Sequence, residues 1–159
     1  MVSVLAIAGA RRRKAKSSTS TDQSESMVMK DVSSYLIRTK LEFNRINNGS
    51  FKLNSESSRK SRMFRCNSKS GKSDIEIFTY MQNKEGTRLQ IQIWIELKTK
   101  TGKQSEGQVD FSCMIDSLGG LYFLVTDTND LISALKESRN YIRAIAPGYD
   151  LYTGRISIP

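Results

Sequence analysis

The chain has 159 residues and a mass of 18.0 kDa, the size of one domain with a short tail. It contains no histidine and two cysteines, which excludes histidine-based catalysts, most zinc sites and a disulfide-dense secreted scaffold. Its 25 Lys and Arg side chains exceed its 16 Asp and Glu side chains, so the formal net charge is +9. This composition favours a small basic binding or structural protein of a reducing compartment over an enzyme.

The excess positive charge lies in the first 72 residues. Residues 34–72 carry ten basic and two acidic side chains, whereas residues 73–159 carry nine basic and eleven acidic ones. Such dense cations favour a phosphate-bearing partner, either nucleic acid or an anionic membrane, and a merely solvated surface is the alternative. The candidate phosphate-binding residues are Arg11, Arg12, Arg13, Lys14 and Lys16 on an arm, Arg59, Lys60, Arg62, Arg65, Lys69 and Lys72 on a central loop, and Lys98, Lys100 and Lys103 on an exposed hairpin loop.

Residues 1–33 are predicted to form a disordered basic N-terminal arm. The apolar segment Val2–Ala10 is far shorter than the ~20 residues that span a bilayer. The basic residues follow this segment, whereas a secretory signal places its basic residues before the apolar stretch. Residues 17–26 are polar and of low complexity, which is typical of a linker. The arm could contact a membrane or RNA, or serve nuclear import; a terminus without a special role is an equal alternative.

Strands are predicted next in the chain. Apolar and polar residues alternate over 34–43, which is typical of a strand with one buried face. Asn47, Asn48 and Gly49 then predict a tight turn, after which the alternation resumes. Residues 54–73 follow as a long polar, basic connection.

Four further strands are predicted over 75–80, 89–97, 109–115 and 121–125. In the second of these, the leucines and isoleucines share one face while Trp94 lies on the polar face. A second structural layer that covers Trp94 is the ordinary explanation, and an oligomer or base-stacking contact is the other.

A single helix is predicted near the C-terminus. Asp127 or Thr128 can cap it, and Pro147 with Gly148 ends it. Its apolar or small residues follow at helical spacing: Leu131, Leu135, Ser138 and Ile142. Because no helix is predicted between strands, the expected fold is a β-rich α+β class. It would be one antiparallel β-sandwich-like domain over 34–159 with one C-terminal helix.

Residues 121–148, LYFLVTDTNDLISALKESRNYIRAIAPG, and the tail ending GRISIP resemble the end of bornavirus matrix proteins. In both, an aromatic-containing strand leads through a polar turn into a helix, then to glycine, proline and a short tail. The upstream order of strands is compatible, so the resemblance covers residues 34–159. The basic arm and the longer loop at 54–73 depart from the bornavirus pattern, so a nyamivirus or plant rhabdovirus relative is equally compatible.

The resemblance implies a viral matrix protein of the Mononegavirales. It would assemble into homotetramers or lattices on the inner face of the virion envelope, bind anionic membrane and RNA without sequence preference, and drive assembly and budding. Its implied partners are itself, ribonucleoprotein, the viral nucleoprotein and the glycoprotein tail, in the virion and the host cytoplasm or nucleus rather than outside the cell. Proline occurs only at 147 and 159, so proline-dependent budding motifs are not expected.

A small viral RNA-binding protein without a membrane role, such as a capsid protein or a silencing suppressor, is the main alternative. An enzyme is not expected, nor is a cofactor or a metal site. Without histidine an enzyme would need a pair of carboxylates. The acidic residues, such as Asp74 and Glu76, follow strand alternation as surface residues do.

Overall fold

A computed structural model of the protein describes residues 23–46, 50–53, 62–65 and 71–154. Over these residues the chain forms an α+β domain with a five-stranded mixed sheet and three helices. The helices are α1 (Glu25–Thr39), α2 (Glu106–Ser117) and α3 (Thr128–Ile145). The strands are β1 (Glu42–Arg45), β2 (Ser50–Leu53), β3 (Arg62–Arg65), β4 (Ile75–Asn83), β5 (Arg88–Leu97), β6 (Leu121–Val125) and β7 (Tyr149–Leu151).

The main sheet has the strand order β1-β4-β5-β6, and the short strand β7 also pairs with β4. Its pairs are antiparallel except for β5 and β6, which run parallel. Parallel neighbours need a crossover connection, and α2 lies within the one that joins β5 to β6. Strands β2 and β3 form a separate antiparallel pair.

The hydrophobic core lies between one face of the sheet and the helices α1 and α3. The sheet contributes alternate residues of β4 and β5, because successive side chains of a strand point to opposite faces. The helices contribute apolar residues three or four positions apart, which share one helical face. The fully buried members of this core include Val28, Val32, Leu36, Ile75, Ile77, Ile93, Ile95, Leu131 and Leu135.

The strands predicted over 75–80, 89–97 and 121–125 are confirmed as β4, β5 and β6. The late helix is confirmed as well, and Asp127 caps α3. Its carboxylate oxygen accepts hydrogen bonds from the backbone N–H groups of Asn129 and Asp130 at 2.8 and 2.9 Å. These elements were predictable because their periodicity and end signals agree.

The strand predicted over 34–43 is wrong, because most of this segment belongs to α1. Helix α1 buries Val28, Val32 and Leu36, which are spaced four residues apart. Residues 25–33, assigned to the disordered arm, therefore form the first half of a core helix. The alternation that suggested a strand began too late in the chain to include the first two buried valines.

The strand predicted over 109–115 is also wrong, because these residues lie in α2. Helix α2 opens with a capping box: the Ser105 hydroxyl accepts from the Gln108 backbone N–H, and the Gln108 side chain accepts from the Ser105 backbone N–H. Two corrections follow. The protein has three helices over its described residues, and its sheet is mixed rather than wholly antiparallel, so the β-sandwich-like arrangement is wrong.

Other predicted features fall partly outside the described residues. Residues 1–22 of the arm and the turn at 47–49 are outside, so both remain predictions. The connection over 54–73 contains β3, so it is not a loop throughout. No helix in the described part of the chain combines the length and hydrophobicity needed to cross a bilayer.

Candidate functional site

A cluster of charged side chains lies where β4 begins and β5 ends. We call it the acid–lysine cluster and define it by five residues: Glu25, Asp74, Glu96, Lys98 and Gln108. Pairing of Ile75 with Ile95 in the sheet brings the start of one strand beside the end of the other. The sheet therefore gathers carboxylates that are 22 positions apart in the chain.

Asp74 is fixed against β5 by backbone contacts. Its N–H donates to the Ile95 carbonyl oxygen at 3.1 Å, and its Oδ2 accepts from the Leu97 N–H at 2.9 Å. Burial raises the pKa of Asp74 above its ordinary value, although the Leu97 hydrogen bond and Lys98 oppose this shift. The carboxylate is half-buried rather than on the surface, which corrects the expectation for this residue.

Glu96 is the most unusual residue of the cluster, because it is a fully buried acid. Its Oε1 accepts hydrogen bonds from Lys98 Nζ at 2.9 Å and from Gln108 Nε2. Its Oε2 is the one buried side-chain oxygen or nitrogen among the described residues without a hydrogen-bond partner. Burial raises the pKa of Glu96 to about 7, against the hydrogen bond from Lys98 and with the help of nearby Asp74.

Lys98 connects the buried acid with a more exposed one. Its Nζ lies 2.9 Å from Glu96 Oε1 and 3.4 Å from Glu25 Oε1, and the Glu25 side chain is 53% exposed. Burial alone favours the neutral amine, but the hydrogen bond to Glu96 and the two negative charges outweigh it and raise the pKa of Lys98. Lys98 therefore carries its charge at neutral pH while it is nine-tenths buried.

The elements that carry the cluster residues, β5, the loop before Asp74 and the start of α2, also contact one another. Gln108 uses its side-chain oxygen in the α2 capping box and its side-chain nitrogen on Glu96, so the helix start is tied to β5. Gly71 has a φ of +83°, and a Cβ there would lie 2.1 Å from the Gly107 carbonyl carbon. Only glycine fits here, so the loop before Asp74 packs directly on the first turn of α2.

The polar-face residue Trp94 is covered by a second structural layer, the helix α2, which is one of the two explanations predicted for it. Its ring packs edge-on against Phe111 of α2, with centroids 5.3 Å apart, and Phe111 also contacts Tyr122 of β6. Lys72 Nζ lies 5.2 Å from the centroid of the Trp94 ring, within the range of a cation–π contact. A helix thus covers this end of the polar sheet face, next to the acid–lysine cluster.

The predicted phosphate-binding residues are only partly described. Arg62 and Arg65 lie on β3, and Lys72 lies over Trp94. Lys100 is half-buried and Lys103 is exposed. The remaining ones lie outside the described residues: Arg11, Arg12, Arg13, Lys14, Lys16, Arg59, Lys60 and Lys69.

The prediction that Lys98 lies on an exposed basic hairpin loop is wrong. The lysine forms an ion pair, and the segment after it leads into α2. Lys98 is therefore buried where an exposed cation was predicted.

Sequence reasoning missed the acid–lysine cluster, although part of it leaves a local signal. Glu96 and Lys98 are two positions apart at the end of an apolar strand, so they share a face. Gln108 stands three residues after Ser105, the spacing of a capping box that begins a helix. The position of Asp74 depends on strand pairing, which no local pattern specifies.

The fold and site thus define an α+β protein with a buried acid–lysine centre. The chain matches no family model, no curated protein and no solved structure.

Proposed function

We propose that this protein is a metal-dependent phosphodiester hydrolase that acts on nucleic acid. The observation that carries the proposal is Glu96: a fully buried carboxylate with an unpartnered oxygen, beside a second carboxylate and a charged lysine. An unpartnered buried oxygen costs about 1–3 kcal/mol, so a purely structural ion pair would be expected to satisfy it. A ligand that binds there would offset this cost.

The donor set suits a hard divalent cation such as Mg²⁺ or Mn²⁺. Such ions prefer oxygen ligands, and Mg²⁺ is commonly held by one or two carboxylates together with water and substrate phosphate oxygens. Asp74 and Glu96 would provide the two carboxylates. No group of three His, Cys, Asp or Glu side chains within the described ranges could hold an ion, so water and substrate would have to complete the shell.

The remaining residues suit the hydrolysis of a phosphodiester. A divalent ion held by Asp74 and Glu96 would polarise a phosphoryl oxygen and make a bound water more acidic. Lys98 places a positive charge beside the two carboxylates, where it can stabilise negative charge that develops on the phosphate. Glu25 is the exposed carboxylate of the cluster and can accept a proton from water.

Nucleic acid is the favoured substrate because of the chain's charge. A net charge of +9 attracts polyanions, and the whole of the excess lies in the first 72 residues. The proposed metal ligands, Asp74 and Glu96, would thus belong to the slightly acidic C-terminal part, and the cations of the first 72 residues would supply general phosphate affinity.

A cleavage assay tests the proposal. The protein is incubated with labelled single-stranded and duplex DNA and RNA in Mg²⁺ or Mn²⁺, alongside Asp74→Asn and Glu96→Gln. We expect cleavage that EDTA abolishes and that falls about 10²–10³-fold in both variants, because each removes a charged group on which stabilisation of the transition state depends. Glu76→Gln is the matched control, since Glu76 lies two residues from Asp74 on the same strand face and should keep full activity.

Two results would contradict the proposal. One is a wild-type protein that cleaves none of these substrates with either ion. The other is an Asp74→Asn variant as active as the wild type, which would mean that the observed cleavage came from a contaminant.

The viral matrix protein remains the competing prediction, with its membrane, RNA and self-assembly partners and its place under the envelope. Its principal cations lie outside the described residues, so the described contacts neither favour nor oppose it. Sedimentation with anionic vesicles separates the two functions. A matrix protein should pellet with the vesicles and be released by salt, and the Asp74→Asn substitution should leave that binding unchanged.

A further inference from the structure

We infer that a stack of side chains at the far end of the open sheet face binds unpaired bases of single-stranded nucleic acid. This stack, which we call the tyrosine stack, consists of Arg88, Tyr80 and Tyr152. Its members come from β5, from β4 and from the residue after β7. The inference rests on the proposed function for the choice of nucleic acid as ligand.

The geometry of the tyrosine stack is that of a layered platform. The rings of Tyr80 and Tyr152 are 4.8 Å apart at their centroids and tilted by only 5°. The Arg88 guanidinium carbon lies 4.7 Å from the centroid of the Tyr80 ring, and Arg88 Nε donates to Gln82 Oε1 at 2.8 Å. Two tyrosine rings therefore lie face to face, and a cation lies over one of them.

Tyr152 ends the stack at the edge of the sheet. It is 37% exposed, and the described residues provide no ring or cation contact to it besides Tyr80. Its backbone is held firmly, because its N–H donates to the Tyr80 carbonyl oxygen at 2.8 Å and its own carbonyl oxygen accepts from Thr79 Oγ1 at 2.5 Å. A base can therefore stack on a ring whose position is already fixed.

The tyrosine stack and the acid–lysine cluster share one face of the sheet. Tyr80 pairs with Gln90, and side chains on β5 alternate, so Gln90, Trp94 and Glu96 point to the same side. Gln90 and Glu96 are six positions apart along the strand, which corresponds to about 20 Å. A strand of a few nucleotides could reach from one site to the other.

Both ends of this face pair a cation with an aromatic ring. Lys72 lies over Trp94 beside the carboxylates, and Arg88 lies over Tyr80 at the far end. Aromatic rings for bases and cations for phosphates are the combination that non-specific single-strand binders use. Duplex DNA hides its bases, so it could use the cations but not the rings.

Fluorescence anisotropy in EDTA tests the inference without cleavage. A labelled 12-nucleotide DNA single strand and the matching duplex are titrated with the full chain and with Tyr152→Leu. Stacking on one aromatic residue is worth about 1–3 kcal/mol, so we expect single-strand affinity to fall about tenfold. Duplex affinity should change less than twofold. Tyr152→Phe keeps the ring and should bind as the wild type does, and Arg88→Gln should weaken single-strand binding without removing a ring.

Thermal unfolding of each variant shows that the fold is intact. Equal single-strand affinity in the wild type and Tyr152→Leu overturns the inference, and so does an equal loss for strand and duplex. Hydrolysis of bis(4-nitrophenyl) phosphate, which is too small to span both sites, tests the proposed function separately. If the wild type hydrolyses this substrate but Tyr152→Leu does not change DNA binding, only the base-binding role of the tyrosine stack is rejected. If single-strand binding depends on the ring but no hydrolysis occurs, only the proposed phosphodiesterase function is rejected.

Discussion

Two clusters among the described residues pair carboxylates with cations, and they differ in burial and in how fully their oxygens are bonded. Asp150 of β7 lies between Arg139 and Arg143 of α3, whose N–H groups donate to both of its oxygens at 2.5–3.2 Å. Its side chain is 43% exposed. Glu96 is fully buried, and its Oε2 has no hydrogen-bond partner.

The two environments shift the pKa values of the two acids in opposite directions. Hydrogen bonds from Arg139, and then from Arg143, hold the pKa of Asp150 well below its ordinary value. Burial raises the pKa of Glu96 to about 7. A fully bonded ion pair stabilises the fold around it, whereas a buried acid with a raised pKa and an unpartnered oxygen is typical of a site that binds or reacts. This contrast supports the proposed function of the acid–lysine cluster and a structural role for Asp150.

The largest expected effect comes from removing the cation of the buried cluster. Lys98→Met keeps the length of the side chain but leaves Glu96 without a charge partner, which typically costs about 3–5 kcal/mol. Urea denaturation at pH 8 should show a loss of this size. Arg143→Met is the matched control and should cost at most about 0.5 kcal/mol, because Asp150 keeps Arg139 and the pair is exposed. Similar losses of stability in both variants would contradict the difference between the buried and the exposed cluster.

The second prediction concerns the pH dependence that Glu96 gives to the metal-free protein. Its pKa is about 7 in the folded state and near 4.5 in the unfolded state, so the folded state holds the proton more tightly. The free energy of unfolding should therefore fall by about 2–3 kcal/mol as the pH rises from about 4.5 to about 7. Urea denaturation in EDTA at several pH values measures this. In Glu96→Gln that fall should be absent, and a wild-type curve parallel to that of the variant would contradict the prediction.

The smallest effect is expected from Asp150, and it has the opposite sign. Because the folded-state pKa is lower than the unfolded one, Asp150 stabilises the fold above about pH 4, and this contribution is lost as the pH falls. Solvent screening of these exposed groups limits the contribution to about 1 kcal/mol. Denaturation of the wild type and Asp150→Asn should give curves that differ by this amount at pH 6 and converge near pH 2. A constant difference across that range would assign the effect to packing.

The part of the fold that could be predicted is the part with unambiguous periodicity. Strand β5 alternates over nine residues and α3 has both a cap and a terminator, so both were identified. The second half of α1 and the middle of α2 also alternate apolar and polar residues, so both segments fit a strand as well. In α2 the capping box at Ser105 and Gln108 was the available signal, and it stood just before the segment that was assigned.

The candidate site was harder to predict because its members come from different elements. Glu96 and Lys98 can be recognised from the sequence as neighbours on one strand face. Charged side chains are usually exposed, however, and these two are buried. Asp74 joins them through the register of β4 and β5, and Glu25 joins through the packing of α1. Such long-range contacts are properties of the folded chain and leave no local pattern.

The close approach of Gly71 to Gly107 makes the loop before Asp74 sensitive to a single added methyl group. Glu96, Lys98 and Gln108 lie between the end of β5 and the first turn of α2. Gly71 comes three residues before Asp74, and a Cβ there would lie 2.1 Å from the Gly107 carbonyl carbon of that turn. Gly71→Ala should therefore displace the loop and disturb the acid–lysine cluster without changing a charged residue.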